Sequence, residues 1–194
     1  MKKLLLLVLS ASLLAACNSD DKTVQKSETA NEAKVKSAAT PVNPVAEKIA
    51  ALKALPSIGL DELSAWLPSQ LNDIKRGNLT MSSNMGYAVA HADYDKNNKT
   101  NMRVTAYDCA GDNGADLYQT IYLKKMKDVQ ESEDGYTKAI DFMGGKAVEH
   151  YEKQNKITTL TYMANNRILV VVSARNFEPE QVREAAEKLG TKAS

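Results

Sequence analysis

From Met85 to Cys109 and again from Gly135 to Arg175 the apolar residues of this chain recur at every second position, and short runs of turn residues interrupt the alternation. Side chains return to one face of a strand every two residues and to one face of a helix every 3.6. The pattern therefore commits the C-terminal half to a sheet. It predicts strands over 85–94, 101–109, 135–142, 145–153, 156–164 and 167–175. The run Ile168 to Val172 is continuously apolar, as expected of a strand buried on both faces. The connecting segments DKNNKT, GG, QN and NN are turn chemistry, so neighbouring strands are expected to pair as antiparallel hairpins.

Around and between these stretches the period changes to that of helices. Asn43-Pro44 is a start signal, because Asn caps well and Pro suits the first helical position. Val45, Ile49, Leu52 and Leu55 follow on one face until Pro56 stops the helix. A short second helix is predicted at 61–67 (DELSAWL), with Trp66 anchoring this N-terminal piece to the core. Gly114 to Asp128 carries Leu117/Ile121 and Tyr118/Tyr122 at spacing four and reads as a third helix. A last helix follows Pro179, placing Val182, Ala185, Ala186 and Leu189 inward, with Gly190 closing it. The expected fold class is α+β: an antiparallel sheet of about six strands packed with helices.

The first residues carry an address rather than a fold. Two lysines, Lys2 and Lys3, precede an apolar run of 13 residues from Leu4 to Ala16. That is long enough for the core of a secretory signal and shorter than the ~20 residues a membrane-spanning helix needs. The run ends in small residues and a cysteine, and Leu14-Ala15-Ala16-Cys17 resembles the lipobox of bacterial lipoproteins. The resemblance implies removal of residues 1–16 and a thioether-linked diacylglycerol on Cys17. Acyl chains there would add about 0.8 kcal/mol of membrane affinity per buried CH₂. Asn18, in place of Asp, favours the outer membrane over retention on the inner one, facing the periplasm by default. The pair Asp20-Asp21 also resembles an acidic surface-export signal.

Residues 17–43 are expected to be a lipid-anchored flexible linker. Positions 18–43 contain three valines and no aromatic residue, too little apolar surface to offset the entropy of ordering. As a flexible coil this stretch would reach about 30 Å. Residues 44–194 then form one α+β domain. Loss of Lys2 and Lys3 with the signal leaves 23 basic against 24 acidic residues, so no charge imbalance draws the chain to nucleic acid. With Cys17 lipidated, Cys109 is the odd thiol. A half-buried structural thiol is its plain reading, beside an intermolecular disulfide or a nucleophile.

Three constellations compete with plain structural explanations. Asp93, Asp95, Asn97 and Asn98 match the opening of a calcium loop. The Gly at position six and the Glu at position twelve are replaced by Asn98 and Val104, so a hairpin turn is the better reading. Asp108, Asp112, Asn113 and Asp116 form a second acidic set, in which Gly111 and Gly114 argue for turns and helix capping instead. His91 and His150 with Asp93 would suit zinc only if their strands were adjacent. No metal, cofactor or catalytic residue is therefore expected, and the acidic loops near Asp93 and Asp112 remain the candidates for a cation. Tyrosines at 87, 94, 107, 118, 122, 136, 151 and 162 supply most of the aromatic surface, chiefly as half-buried strand residues, or as a face for an amphipathic partner.

The segment from Gly135 to Arg175, followed by the last helix, resembles a pattern in small uncharacterised secreted bacterial proteins and the PsbP/Mog1-type sandwich. It contains no catalytic motif. The function expected is that of a lipid-anchored cell-envelope protein, a non-enzymatic binding or accessory module for another envelope component. The alternative is a periplasmic small-molecule carrier or sensor with a pocket between sheet and helix. The partners expected are the membrane, through Cys17, and an unknown envelope protein or small amphipathic ligand.

Overall fold

A computed structural model describes residues 43–97 and 99–189. The expected signal peptide, the lipid site at Cys17 and nearly all of the linker lie outside the described residues, as do Asn98 and the closing Gly190. Among the described residues no helix is long and apolar enough to cross a membrane.

Among the described residues nine strands form one fully antiparallel sheet: β1 (Gln70–Leu71), β2 (Ile74–Ser82), β3 (Val89–Asn97), β4 (Thr100–Asp108), β5 (Gln130–Ser132), β6 (Gly135–Phe142), β7 (Gly145–Glu152), β8 (Ile157–Ala164) and β9 (Ile168–Arg175). Their order across the sheet is β1-β2-β3-β4-β9-β8-β7-β6-β5. Two meanders, β1–β4 and β5–β9, are thus joined through the pairing of β4 with β9. The expectation of a six-stranded α+β fold is corrected to a mostly β fold. The six foreseen strands are all present, and β1, β2 and β5 were missed for physical reasons. β1 and β5 are too short to show a period. In β2 only Ile74 is buried, and a register shift at Gly77 breaks what alternation remains.

The turns explain the short connections. Asn165 and Asn166 both sit at positive φ, 47° and 55°, as do Met143 and Gly144. Such backbone matches the right-handed twist of the strands it joins. At the tip between β3 and β4, Asn97 Oδ1 accepts from the N–H groups of Lys99 and Thr100.

Helices are few and short. α1 (Pro44–Ala54) starts as expected, with Asn43 Oδ1 accepting from the N–H of Val45 at 3.0 Å. α2 spans Leu60–Ser64. The helix foreseen at 114–128 begins earlier and is not uniformly α: α3 (Gly111–Leu117) runs into a π-helical segment (Tyr118–Leu123) and then α4 (Lys124–Lys127). Neither Asp112 nor Asp116 caps it; the N-cap is Ala110. α5 (Pro179–Glu187) follows β9 and begins with a reciprocal cap between Glu178 and Gln181.

The inner face of the sheet carries Ala90, Ala92 and Tyr94 beside Met102, Val104 and Ala106, then Val170, Val172, Leu160 and Tyr162. α2 and α5 cover it with Leu63, Val182, Ala185 and Ala186, and Trp66 and Leu67 complete the seal. On the outer face a smaller cluster forms at one end only, where Leu52 of α1 and Ala115, Tyr118 and Tyr122 of the long helix pack over Cys109 and Leu169. Gly114 permits this approach, because a Cβ there would lie 2.5 Å from the carbonyl carbon of Cys109. Among the described residues, α4 overhangs part of the remaining outer face and no helix covers the rest.

Candidate functional site

Strand register determines what the outer face displays. Asp93, Arg103, Ser173, Thr159, His150 and Thr137 follow one another across β3, β4, β9, β8, β7 and β6. The adjacent row reads His91, Thr105, Val171, Thr161, Val148 and Ala139. Three of the five neighbouring pairs in the first row are joined by side-chain hydrogen bonds. Arg103 donates to Asp93 at 2.6 and 3.2 Å, Thr159 donates to Ser173 at 3.4 Å, and Thr137 Oγ1 meets His150 Nδ1 at 2.9 Å.

Side-chain length gives this face its relief. The central strands offer short groups, Thr105, Ser173, Thr159 and Thr161, while Arg103 and Arg175 rise on one side and Lys125 and His150 on the other. The result is a polar trough with two hollows. One, of about 370 Å³, lies among Asp93, Arg103, Ser173 and Arg175. The other, of about 220 Å³, lies under α4 among Lys125, Asp128, Thr137, His150, Thr159 and Thr161. They adjoin at the Thr159–Ser173 hydrogen bond.

The long helix positions the second hollow. Tyr118 and Tyr122 stack with ring centroids 5.5 Å apart, and the Tyr122 hydroxyl donates to the carbonyl of Lys146 at 2.7 Å. One turn on, Lys125 Nζ donates to Thr161 Oγ1 at 3.4 Å. Thr161 is fully buried, and burial lowers the Lys125 pKa below its ordinary value.

The foreseen cation sites do not assemble. Asp93 is a strand residue whose carboxylate is occupied by Arg103, which holds its pKa below the usual range. Val104 is buried on the opposite face. Asp108 is fully buried against Arg167, Asp112 is exposed and pairs with Lys53 at 3.0 Å, and Asn113 donates to the carbonyl of Met85. His91 and His150 do share the outer face, but three strands separate them, roughly 19 Å at ~4.8 Å per strand. Among the described residues no three His, Cys, Asp or Glu side chains converge on a common point.

Cys109 is completely buried, and burial pushes its thiol up to about 12. A thiol held in its protonated form is neither nucleophile nor disulfide partner. It is therefore expected to resist iodoacetamide and Ellman's reagent in the native protein and to react after unfolding. The sign of its effect on stability follows from the same shift. Below about pH 9 both states keep the proton and the full contribution is present; above it the unfolded thiol ionises first, and the contribution disappears as pH approaches 12. Tyr94, raised to about 12 by burial, extends the same trend from pH 10. Thermal melts should decline from pH 9 upward, and less steeply between pH 9 and 10 in Cys109→Ala. An unchanged slope would discount the thiol's part.

The tyrosines serve mainly as pins. Tyr94 and Tyr162 are buried and donate to the carbonyls of Pro68 (2.7 Å) and Ala186 (3.1 Å). The feature least visible beforehand is Glu149, a fully buried carboxylate on the inner face. Tyr136 donates to it at 2.8 Å, Lys138 pairs with it at 3.1 Å, and Arg183 of α5 pairs with its second oxygen. Among the described residues every buried polar side-chain atom has a partner.

No protein-family model, curated protein or solved structure matches this chain.

Proposed function

We propose that this chain is a lipid-anchored binding module of the bacterial cell envelope, held to the outer membrane by acyl chains on Cys17, and that the polar trough on its sheet receives another envelope component. The observation that carries the reading is the trough itself. An ordinary solvated sheet face is lined with long, independently hydrated charges, whereas the floor here carries short hydroxyl groups held by Thr159–Ser173, Thr137–His150 and Lys125–Thr161 hydrogen bonds. Such a floor offers donors and acceptors fixed in direction, which suits recognition of a polar surface. The lipobox-like Leu14–Cys17 supports the anchor, and no catalytic role is assigned to any residue.

The test places a photo-crosslinking residue at Thr105, in the trough, and at Glu184, on the exposed side of α5, in cells expressing the full chain. A discrete adduct from position 105 and none from position 184 is expected. It should weaken in Cys17→Ser, where labelled palmitate should also be lost. Equal adducts from both positions would sink the proposal. A small-molecule carrier is the second reading, and the hollow between α4 and the sheet favours it.

A further inference from the structure

The hollow under α4 has chemistry of its own. Lys125 is half-buried, and among the described residues it makes no ion pair. Asp128, one turn further on and lining the same hollow, does not approach it within ion-pair distance. Instead the ammonium donates to the neutral Thr161 hydroxyl at 3.4 Å. A cation withdrawn from water without a counter-charge is costly to maintain, and burial already depresses its pKa. Around it stand the hydroxyls of Thr159 and Thr161, the Thr137–His150 pair and the apolar side of Val148.

We infer that this hollow binds the carboxylate of a small hydroxy acid, with Lys125 as its counter-ion. The inference rests on the reading of the trough as the binding surface. One ammonium balances one negative charge. Asp128 at the rim disfavours a second, which selects a carboxylate over a phosphate dianion. The half-buried Thr159 hydroxyl and the exposed His150 ring are placed for the ligand's own hydroxyls, while buried Thr161 holds the Lys125 ammonium in position and Val148 closes the floor beneath. A volume of about 220 Å³ suits an acid smaller than a drug-sized ligand.

The full chain, labelled with ¹³C at the lysine ε-carbons and held in detergent, would be titrated with glucuronate, lactate, glucose and inorganic phosphate. Glucuronate and lactate should shift the Lys125 resonance saturably below about 10 mM. Glucose and phosphate should bind at least tenfold more weakly. Lys125→Met should weaken glucuronate binding at least tenfold without changing the melting temperature, Lys125→Arg should retain part of it, and Thr161→Val should weaken it several-fold. Absence of saturable binding, equal response to glucose, or binding indifferent to Lys125→Met would each overturn the inference. The photo-crosslink at position 105 separates the two claims. An adduct that persists while hydroxy acids fail to bind refutes the carboxylate site alone, and loss of both refutes the trough as well.

Discussion

Replacing Glu149 by alanine is expected to cost about 3–5 kcal/mol of stability, the range seen when one partner of a buried ionic cluster is removed. For a domain of this size that is a fall in melting temperature of about 10–15 °C. The carboxylate is fully buried. Its loss would leave Arg183, Lys138 and the Tyr136 hydroxyl converging on an empty space, with two positive charges half withdrawn from water. Because Arg183 belongs to α5 while Glu149, Lys138 and Tyr136 belong to β6 and β7, the cluster adds a polar tie to the apolar seating of the last helix on the sheet. Hydrogen exchange in 179–187 should therefore accelerate more than exchange in β3. Replacing Glu149, Lys138 and Arg183 together with apolar residues of similar volume should recover part of the loss, since an apolar cluster needs no internal charge balance. Urea unfolding of the single and triple variants decides the matter; a single-variant loss below about 1 kcal/mol would show that the cluster is decorative.

Asp108→Ala should follow closely, at about 3–4 kcal/mol. This carboxylate accepts from Arg167 at 2.8 and 3.0 Å and from the N–H groups of Ile58 (3.0 Å) and Ala110 (3.1 Å). Arg167 in turn donates to the carbonyl of Pro56. One side chain thus clips the α1–α2 connection, the start of the long helix and the β8–β9 turn together. Its removal should loosen the N-terminal segment first, so protease cleavage near Pro56 should appear before global unfolding. Asp108→Asn keeps the acceptor oxygen for one N–H and should lose less. Equal stability of Asp108→Ala and wild type would refute the clip.

Much of the sheet was readable in advance. Strands β3, β4 and β6–β9 alternate because each has a buried inner face, and Asn165, Asn166 and Gly144 mark turns by their tolerance of left-handed backbone, although Met143 and Lys156 adopt it too. The count of six fell short because β2 packs almost nothing against the core, so its residues show no alternation to detect. The same alternation foretold that His91 shares a face with Asp93, and His150 with Val148. It could not say which strands are neighbours, and that alone removes the zinc arrangement. Glu149 was hidden for a related reason. A carboxylate at an inward position of a strand looks like an interruption of the pattern until Arg183, from a helix 34 residues away, is known to meet it. The trough was invisible because threonine and serine give no motif; only register gathers them.

The pairing of β4 with β9 has a kinetic consequence. Each meander is stitched by hairpins between sequence neighbours, which close within microseconds. The seam between them joins Met102 to Ala174 and Val104 to Val172, across the whole length of the intervening chain. Closing so long a loop carries its entropic penalty before any contact compensates it. The two half-sheets are therefore expected to form early and separately, and the apolar edge of β9 stays open until the seam zips.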